Sequence, residues 1–445
     1  MMMFYSRHMR IDKFFKNILL YFVVIMMTVI SIVIFNRDNA KATSLQPTSK
    51  IIPSELFGLH IHRATSSTPW PVAPFGTWRL WDCYVQWPWL EPNKGEWHFE
   101  HLDKIVALAE KNEVHILLPL GLTPTWASKR PAEKSAYGIG HQGYAAEPRN
   151  LDDWRNYIRS VATRYRGRIK DYEIWNEPNL PSFFSGSQEQ MILLAQEAYR
   201  ILKEVDPTIR VVSPSATSDT GPAWLDSYLA KGGAKIADVI GYHFYVSPHQ
   251  PESMLPIIAR VKQIMVKYGV HNKPLWNTET GWFIANRLTD VKADPSGFKG
   301  KVLSEGEASG YIARSYLLSW ASGIERFYWY SWDGEEIGLT EADGKHIKSV
   351  ARAYAEVFDW LVGSRIINCS SDMNGTWICL LLRNDGRSAW IVWNPQTVFT
   401  FDIPKSWDVN QMRGLDRQSI AIKTGARLEI GSVPVMLWKT SQDIN

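Results

Sequence analysis

The chain has 445 residues, enough for two or three domains, and 45% of them are hydrophobic against 21% charged. That balance excludes intrinsic disorder, collagen-like repeats and disulfide-dense miniproteins, and leaves an excess of 21 tryptophans as the one oddity. The formal charge of +4 is largely a property of the amino terminus, where Arg7, Arg10, Lys13 and Lys16 face only Asp12, so no nucleic-acid-binding surface is expected.

Residues 1–17 read as a basic cytoplasmic leader. Residues 18–35 are apolar and uncharged, and as a helix they would reach about 27 Å, close to the bilayer core. That length favours an uncleaved transmembrane signal anchor over a signal peptide, although Ala40-Lys41-Ala42 has the small-x-small form of a cleavage site and leaves a secreted form open. With the cations ahead of the segment, the bulk of the chain is expected in the periplasm or outside the cell, held by a single pass through the inner membrane. Residues 36–50 read as a linker.

After it, short apolar runs alternate with amphipathic stretches. Strands are expected at 58–62, 77–81, 115–120, 171–176, 211–214, 239–244, 274–278 and 326–331. Helices are expected at 102–111, 154–165, 188–205, 254–268 and 308–321. Eight strands, each followed by a helix, are the pattern of a (β/α)8 TIM barrel over 51–358, an α/β fold. Residues 359–445 change character to short strands with turn signals at Asn374-Gly375 and Asn384-Asp385-Gly386, as in a small antiparallel β-sandwich. Of three cysteines, Cys83 reads as a core residue, while Cys369 and Cys379 flank the first of those turns and bridge only if the register allows. No metal, nucleotide or flavin motif is present, and no cofactor is expected.

Chemistry in such a barrel sits at the carboxyl ends of the strands. The fourth predicted strand ends in Tyr172-Glu173-Ile174-Trp175-Asn176-Glu177-Pro178-Asn179, the seventh in Leu275-Trp276-Asn277-Thr278-Glu279-Thr280-Gly281-Trp282. Two glutamates aimed at one barrel mouth meet the requirement of glycoside hydrolysis for one carboxyl group that protonates the leaving oxygen and another that attacks or activates water.

Asn176-Glu177-Pro178 paired with Glu279 resembles the superfamily of retaining (β/α)8 glycosidases. With the appended sandwich, the run from Ile174 to Asn179 is most similar to glycoside hydrolase family 39, over roughly residues 51–440. The membrane leader adds a likeness to bacterial endoglycosidases made alongside exopolysaccharide synthesis. The resemblance implies that Glu177 is the acid/base and Glu279 the nucleophile, with carboxyls about 5–5.5 Å apart. It implies opposite tuning, Glu177 held protonated and Glu279 ionised. Arg79 is the expected cation beside Glu279, and Tyr245 a hydroxyl donor to it. His243 matches the family's His-x-Tyr pair near the acid/base, and Asn176 the asparagine that holds the sugar 2-hydroxyl. Trp332 falls where similar enzymes place an aromatic floor, and Trp126 with His60 or His62 is expected along the same subsite.

Long connections at 128–152, 178–188 and 281–310 carry Tyr137, His141, Tyr144, Phe183 and Phe184, plates suited to stacking sugar faces. The expected partner is a polysaccharide substrate, cut internally during export, with the exopolysaccharide machinery as a further partner. The rival readings are an exo-glycosidase of β-xylosidase type, a transglycosylase, and a polysaccharide-binding protein without turnover. The sandwich tryptophans Trp377, Trp390, Trp393 and Trp407 are expected to pack a core.

Overall fold

The computed structural model describes residues 42–292 and 300–440. The expected leader and transmembrane segment lie outside the described residues, and no described helix is long and apolar enough to cross a membrane. The stretch read as a linker contains a strand, β1 (Thr43–Leu45), which pairs antiparallel with Arg365–Ser371 of the carboxy-terminal sheet. Thr, Ser and Leu suit a strand edge well enough once a partner strand is supplied from far along the chain, Thr43 pairing with Ser371, a tertiary pairing that local composition does not announce.

The barrel is a nine-stranded parallel sheet. Its strands are β2 (Phe57–Leu59), β3 (Thr77–Arg79), β4 (His115–Leu120), β5 (Asp171–Ile174), β6 (Arg210–Val212), β7 (Ala216–Thr217), β8 (Ile240–His243), β9 (Leu275–Thr280) and β10 (Ile324–Trp329). They run in the order β6-β5-β4-β3-β2-β10-β9-β8-β7. Parallel bridges from Val212 to Val239 and from Asn176 to Ser215 close the ring. β6 and β7 are two pieces of one barrel position, interrupted at Ser213-Pro214, because proline has no N–H to give to the ladder.

Around the ring lie α1 (Trp87–Leu90), α2 (Glu100–Lys111), α3 (Leu151–Arg164), α4 (Gln188–Val205), α5 (Gly221–Ala230), α6 (Met254–Lys267), α7 (Glu305–Ala321) and α8 (Ser349–Leu361). The first barrel strand departs from the expected alternation: residues 60–76 are turns and loop, with no helix. Local chemistry sets the helix starts. Ser187 with Gln190, and Ser304 with Glu307, form reciprocal capping boxes that satisfy two free backbone N–H groups each. In α3, Trp154, Tyr157, Ile158 and Val161 share one buried face at helical spacing.

Strand alternation loads the barrel interior in layers. On β5, Tyr172 and Ile174 join the apolar core shared with the helices, whereas Asp171 and Glu173 are held by partners on other barrel strands. A lower layer packs Leu117, Val212, Val239, Trp276 and Tyr328. Beside it, Asp171 pairs with Arg326 at 2.7 Å, and Arg326 stacks on Trp276. Above it sits a polar layer of Arg79, Glu173, Ser215 and Thr278, which floors the site.

The carboxy-terminal strands are β11 (Arg365–Ser371), β12 (Trp377–Leu382), β13 (Ser388–Trp393), β14 (Phe399–Asp402), β15 (Gln411–Arg413), β16 (Ser419–Ala421), β17 (Arg427–Ile430) and β18 (Val435–Trp438). A seven-stranded sheet, β1-β11-β12-β13-β18-β15-β16, packs with the β14–β17 pair around Val392, Ile403, Val409, Ile430 and Leu437. Cys369 and Cys379 face each other on β11 and β12 and form a disulfide. Trp377 and Trp393 stack within the core, but Trp390 and Trp407 form a second stack that is only half-buried. Glu356 of α8, fully buried, receives Arg413 and Arg417 and joins the two domains.

Candidate active site

A cavity of about 730 Å³ opens at the carboxyl ends of the barrel strands. Asn176, Glu177, Tyr245 and Glu279 line it, with Trp81, Asp82, Tyr137, Phe183, Thr217 and Tyr330 among the walls. Oxygen atoms of Glu177 and Glu279 lie within 4.8 Å of each other. That nearest approach matches the close pairing of retaining glycosidases and is far short of the roughly 6.5–9.5 Å needed to seat a water between the carboxyls of an inverting pair.

Backbone geometry delivers these groups. After β5 the chain turns sharply, with Trp175 (φ 61°) and Glu177 (φ 45°) both left-handed. Side chains pay a steric cost there, so the turn persists because its surroundings fix it. The Trp175 indole, buried, donates to the Phe183 carbonyl, and the Glu177 N–H donates to the Ser215 carbonyl. Gly281 follows β9 where any Cβ would lie 2.0 Å from the Tyr330 carbonyl, so only glycine lets the two strand ends approach.

Arg79 organises the floor. Fully buried, it donates from Nε to Glu173 (2.6 Å), from Nη1 to Glu279 (2.7 Å) and from Nη2 to the Asn176 side-chain oxygen (2.8 Å). Because that oxygen is taken, the Asn176 amide nitrogen is the group left to face the cavity, where it can donate to a sugar hydroxyl. The Tyr245 hydroxyl donates to the other Glu279 oxygen at 3.1 Å. Nδ1 of His243 lies 3.0 Å from Glu177, and burial holds the imidazole down to about 4, so it is neutral near pH 7.

The expected opposite tuning is not found as two separate values. Burial, the largest cause for each, pushes Glu177 and Glu279 alike up to about 7. A close carboxyl pair titrates as a unit, and its first proton leaves to give a shared single charge. The partners decide where that charge rests. Glu279 has a guanidinium and a phenol on its two oxygens, whereas Glu177 has only neutral partners, the His243 imidazole and the Thr217 side chain; the anion belongs on Glu279 and the proton on Glu177.

The remaining expected residues divide between the cavity and the core. His60 sits behind the site, buried against the Thr278 carbonyl, and it is His62 that reaches the cavity. Trp332 packs in the apolar core, because β10 ends at Trp329 and the first ring to face the cavity after it is Tyr330. Trp126 is half-buried against Trp87, its indole bound to the Glu91 carbonyl. Of the loop aromatics, Tyr137 and Phe183 line the cavity. His141 and Tyr144 pack against Trp89 instead, the tyrosine edge-on, and Phe184 is buried against Trp175. Sequence reasoning passed over Asp82, which accepts from the Tyr137 (3.0 Å) and Tyr330 (2.6 Å) hydroxyls at the cavity wall, and Glu173 in the floor. A left-handed Asp82 after the Arg79 strand is the kind of irregularity that only the backbone reveals.

Among the described residues, Glu177, His243 and Glu279 are also the one trio whose donor atoms are close enough to hold a metal ion. Arg79 already supplies the positive charge between the carboxylates of that floor.

The sequence profile of glycosyl hydrolases family 39 matches residues 91–408. A β-xylosidase of Caldicellulosiruptor saccharolyticus is 29% identical over 144 residues, covering 30% of this chain and 29% of that protein. A β-xylosidase of Geobacillus stearothermophilus is 24% identical over 239 residues, 47% of this chain and 46% of the relative. The chain thus spans less than half the length of these curated relatives. A solved family 39 glycoside hydrolase from Bacteroides cellulosilyticus WH2 shares the fold with a TM-score of 0.67 at 19% identity, over 88% of this chain and 82% of that one.

Proposed function

The chain belongs to glycosyl hydrolases family 39, and from that premise we propose that it is a retaining glycoside hydrolase that cuts within a polysaccharide by double displacement. The observation that carries this reading is the close Glu177–Glu279 pair, with the cation and phenol on one member and a neutral imidazole on the other. Glu279 attacks the anomeric carbon while Glu177 gives its proton to the departing glycosidic oxygen, leaving a glycosyl ester on Glu279. Glu177, now a carboxylate, takes a proton from water, and that water displaces Glu279 from the anomeric carbon. The Asn176 amide holds the sugar 2-hydroxyl through both steps.

Internal cleavage is supported by the size of the cavity, which is in the range that holds ligands larger than one monosaccharide, and by rings contributed from several loops. Work on an exopolysaccharide outside the cytoplasm, from a membrane-anchored position, is supported by the amino-terminal sequence and by the Cys369–Cys379 disulfide, which suits an oxidising compartment. The test is to incubate the protein with exopolysaccharide from its own source and size the products by mass. Oligosaccharides from the wild type, none from Glu279→Gln, and an activated fluoro-sugar trapped on the Glu279 peptide are expected. Monosaccharides alone would replace the endo reading with an exo one, and turnover by Glu279→Gln would end the mechanism.

A further inference from the structure

Resting on the assignment of Glu279 as nucleophile, we propose that Glu173 is a positioning residue which divides the charge and the donors of Arg79, so that Glu279 is held by one guanidinium hydrogen bond and stays reactive. Nothing in the double-displacement scheme uses Glu173. It is nevertheless a fully buried carboxylate on β5, three positions before Asn176, pointing to the barrel axis. Burying it requires compensation, and all of it comes from the site floor: Arg79 Nε at 2.6 Å, the Thr278 hydroxyl at 2.8 Å from β9, and the Ser215 hydroxyl just ahead of β7. Thr278 is the immediate neighbour of Glu279, so this carboxylate ties the strand that carries the nucleophile to the arginine that orients it.

The donor count gives the arrangement its consequence. Arg79 offers its three nitrogens to three different acceptors, Glu173, Glu279 and Asn176. Carboxylates otherwise prefer two parallel bonds from one guanidinium. Without an acceptor at Nε, that group is free to turn and grip both Glu279 oxygens. This would pull Glu279 from Tyr245, release Asn176 from its fixed orientation, and concentrate the positive charge on the atom that must attack carbon. Glu173 prevents this by occupying Nε. The charged and titratable groups facing Glu279 are Arg79 from β3, Asp82 after β3, Tyr137 from the loop after β4, Glu177 after β5, His243 and Tyr245 at the end of β8, and Tyr330 after β10. Those facing Glu173 are Arg79, Glu177 and His243, beside the Ser215 and Thr278 hydroxyls. None of these changes identity when Glu173 is substituted, so a change in Glu279 reports on Glu173.

The test uses the full chain with carbon-13 at glutamate carboxyls, the Glu279 signal being identified by its loss in Glu279→Gln. Glu173→Gln keeps the shape and an acceptor for Nε but removes the charge. The Glu279 titration midpoint is expected to fall by about one pH unit, and the acid limb of the hydrolysis profile to move down with it while kcat drops. Glu173→Asp, which keeps the charge but withdraws it from Arg79, is expected to fall between the two and carries the test if the glutamine variant does not fold. A Glu279 midpoint unmoved in both variants, or raised in either, would overturn the proposal. Absence of turnover in the wild type would count against the glycosidase reading, while the titration still decides the role of Glu173.

Discussion

Substituting Glu177 by glutamine should make the protein more stable at neutral and alkaline pH while abolishing its chemistry. The folded state holds Glu177 near 7, against an ordinary 4.5, chiefly because burial penalises its charged form. Ionising it inside the fold therefore costs about 3 kcal/mol more than ionising it in the unfolded chain. The sign follows from linkage. Below about pH 4.5 both states are protonated and nothing is lost; between there and 7 the unfolded chain releases a proton that the fold retains, so stability declines; above 7 the decline is complete. Glutamine cannot ionise and escapes this loss. Glu279 gains as well, since the Glu177 charge is among the causes that raise it. Urea unfolding followed by tryptophan fluorescence, from pH 4.5 to 8.5, should show the stability difference between variant and wild type growing by about 3 kcal/mol across that range. Parallel curves would refute the claim that Glu177 is buried as a neutral acid.

Three further outcomes follow from the same geometry. Arg79→Lys offers one point charge where three directed donors are needed, so kcat/KM should fall about 100-fold in steady-state assays even though the charge is kept. Dialysis against EDTA should leave hydrolysis unchanged, whereas added zinc should inhibit by occupying the Glu177, His243 and Glu279 trio, as read by initial rates. Cys369→Ser opens a short loop with a sequence separation of 10, and denaturant unfolding should register a loss of about 3 kcal/mol in the sandwich domain.

Where an element is marked by a continuous apolar run or by a regular period with a cap, sequence was sufficient. The strand at His115–Leu120 and the helix at Gln188–Val205 fall on their expected bounds, the second because Ser187 and Gln190 spell out its cap. The elements that differ are those decided from far away. β1 exists because β11 offers it an edge, and the missing helix after β2 reflects a loop held to the end of the neighbouring strand β10 by Arg63 and Thr68, both bound to Asp333. The half-buried Trp390–Trp407 stack likewise depends on β13 and the turn before Asp408 meeting in space.

The site divides along the same line. Glu177 and Glu279 were legible because their chemistry is written beside them, in Asn176-Glu177-Pro178 and in the end of β9. Trp332 and Trp126 were misplaced for the opposite reason: both lie past the end of a strand, where its alternation no longer fixes which way a ring points. Glu173 was invisible for a third reason. In sequence it is one more acid in a strand, yet in space it completes a buried sequence of charges, Glu173–Arg79–Glu279, in which the outer members compete for the middle one. Such competition cannot be read from motif spacing, since it depends on which of the three guanidinium nitrogens meets which carboxylate. Both Glu177 and Glu279 sit near 7 although an arginine touches one of them, because burial outweighs that opposite charge.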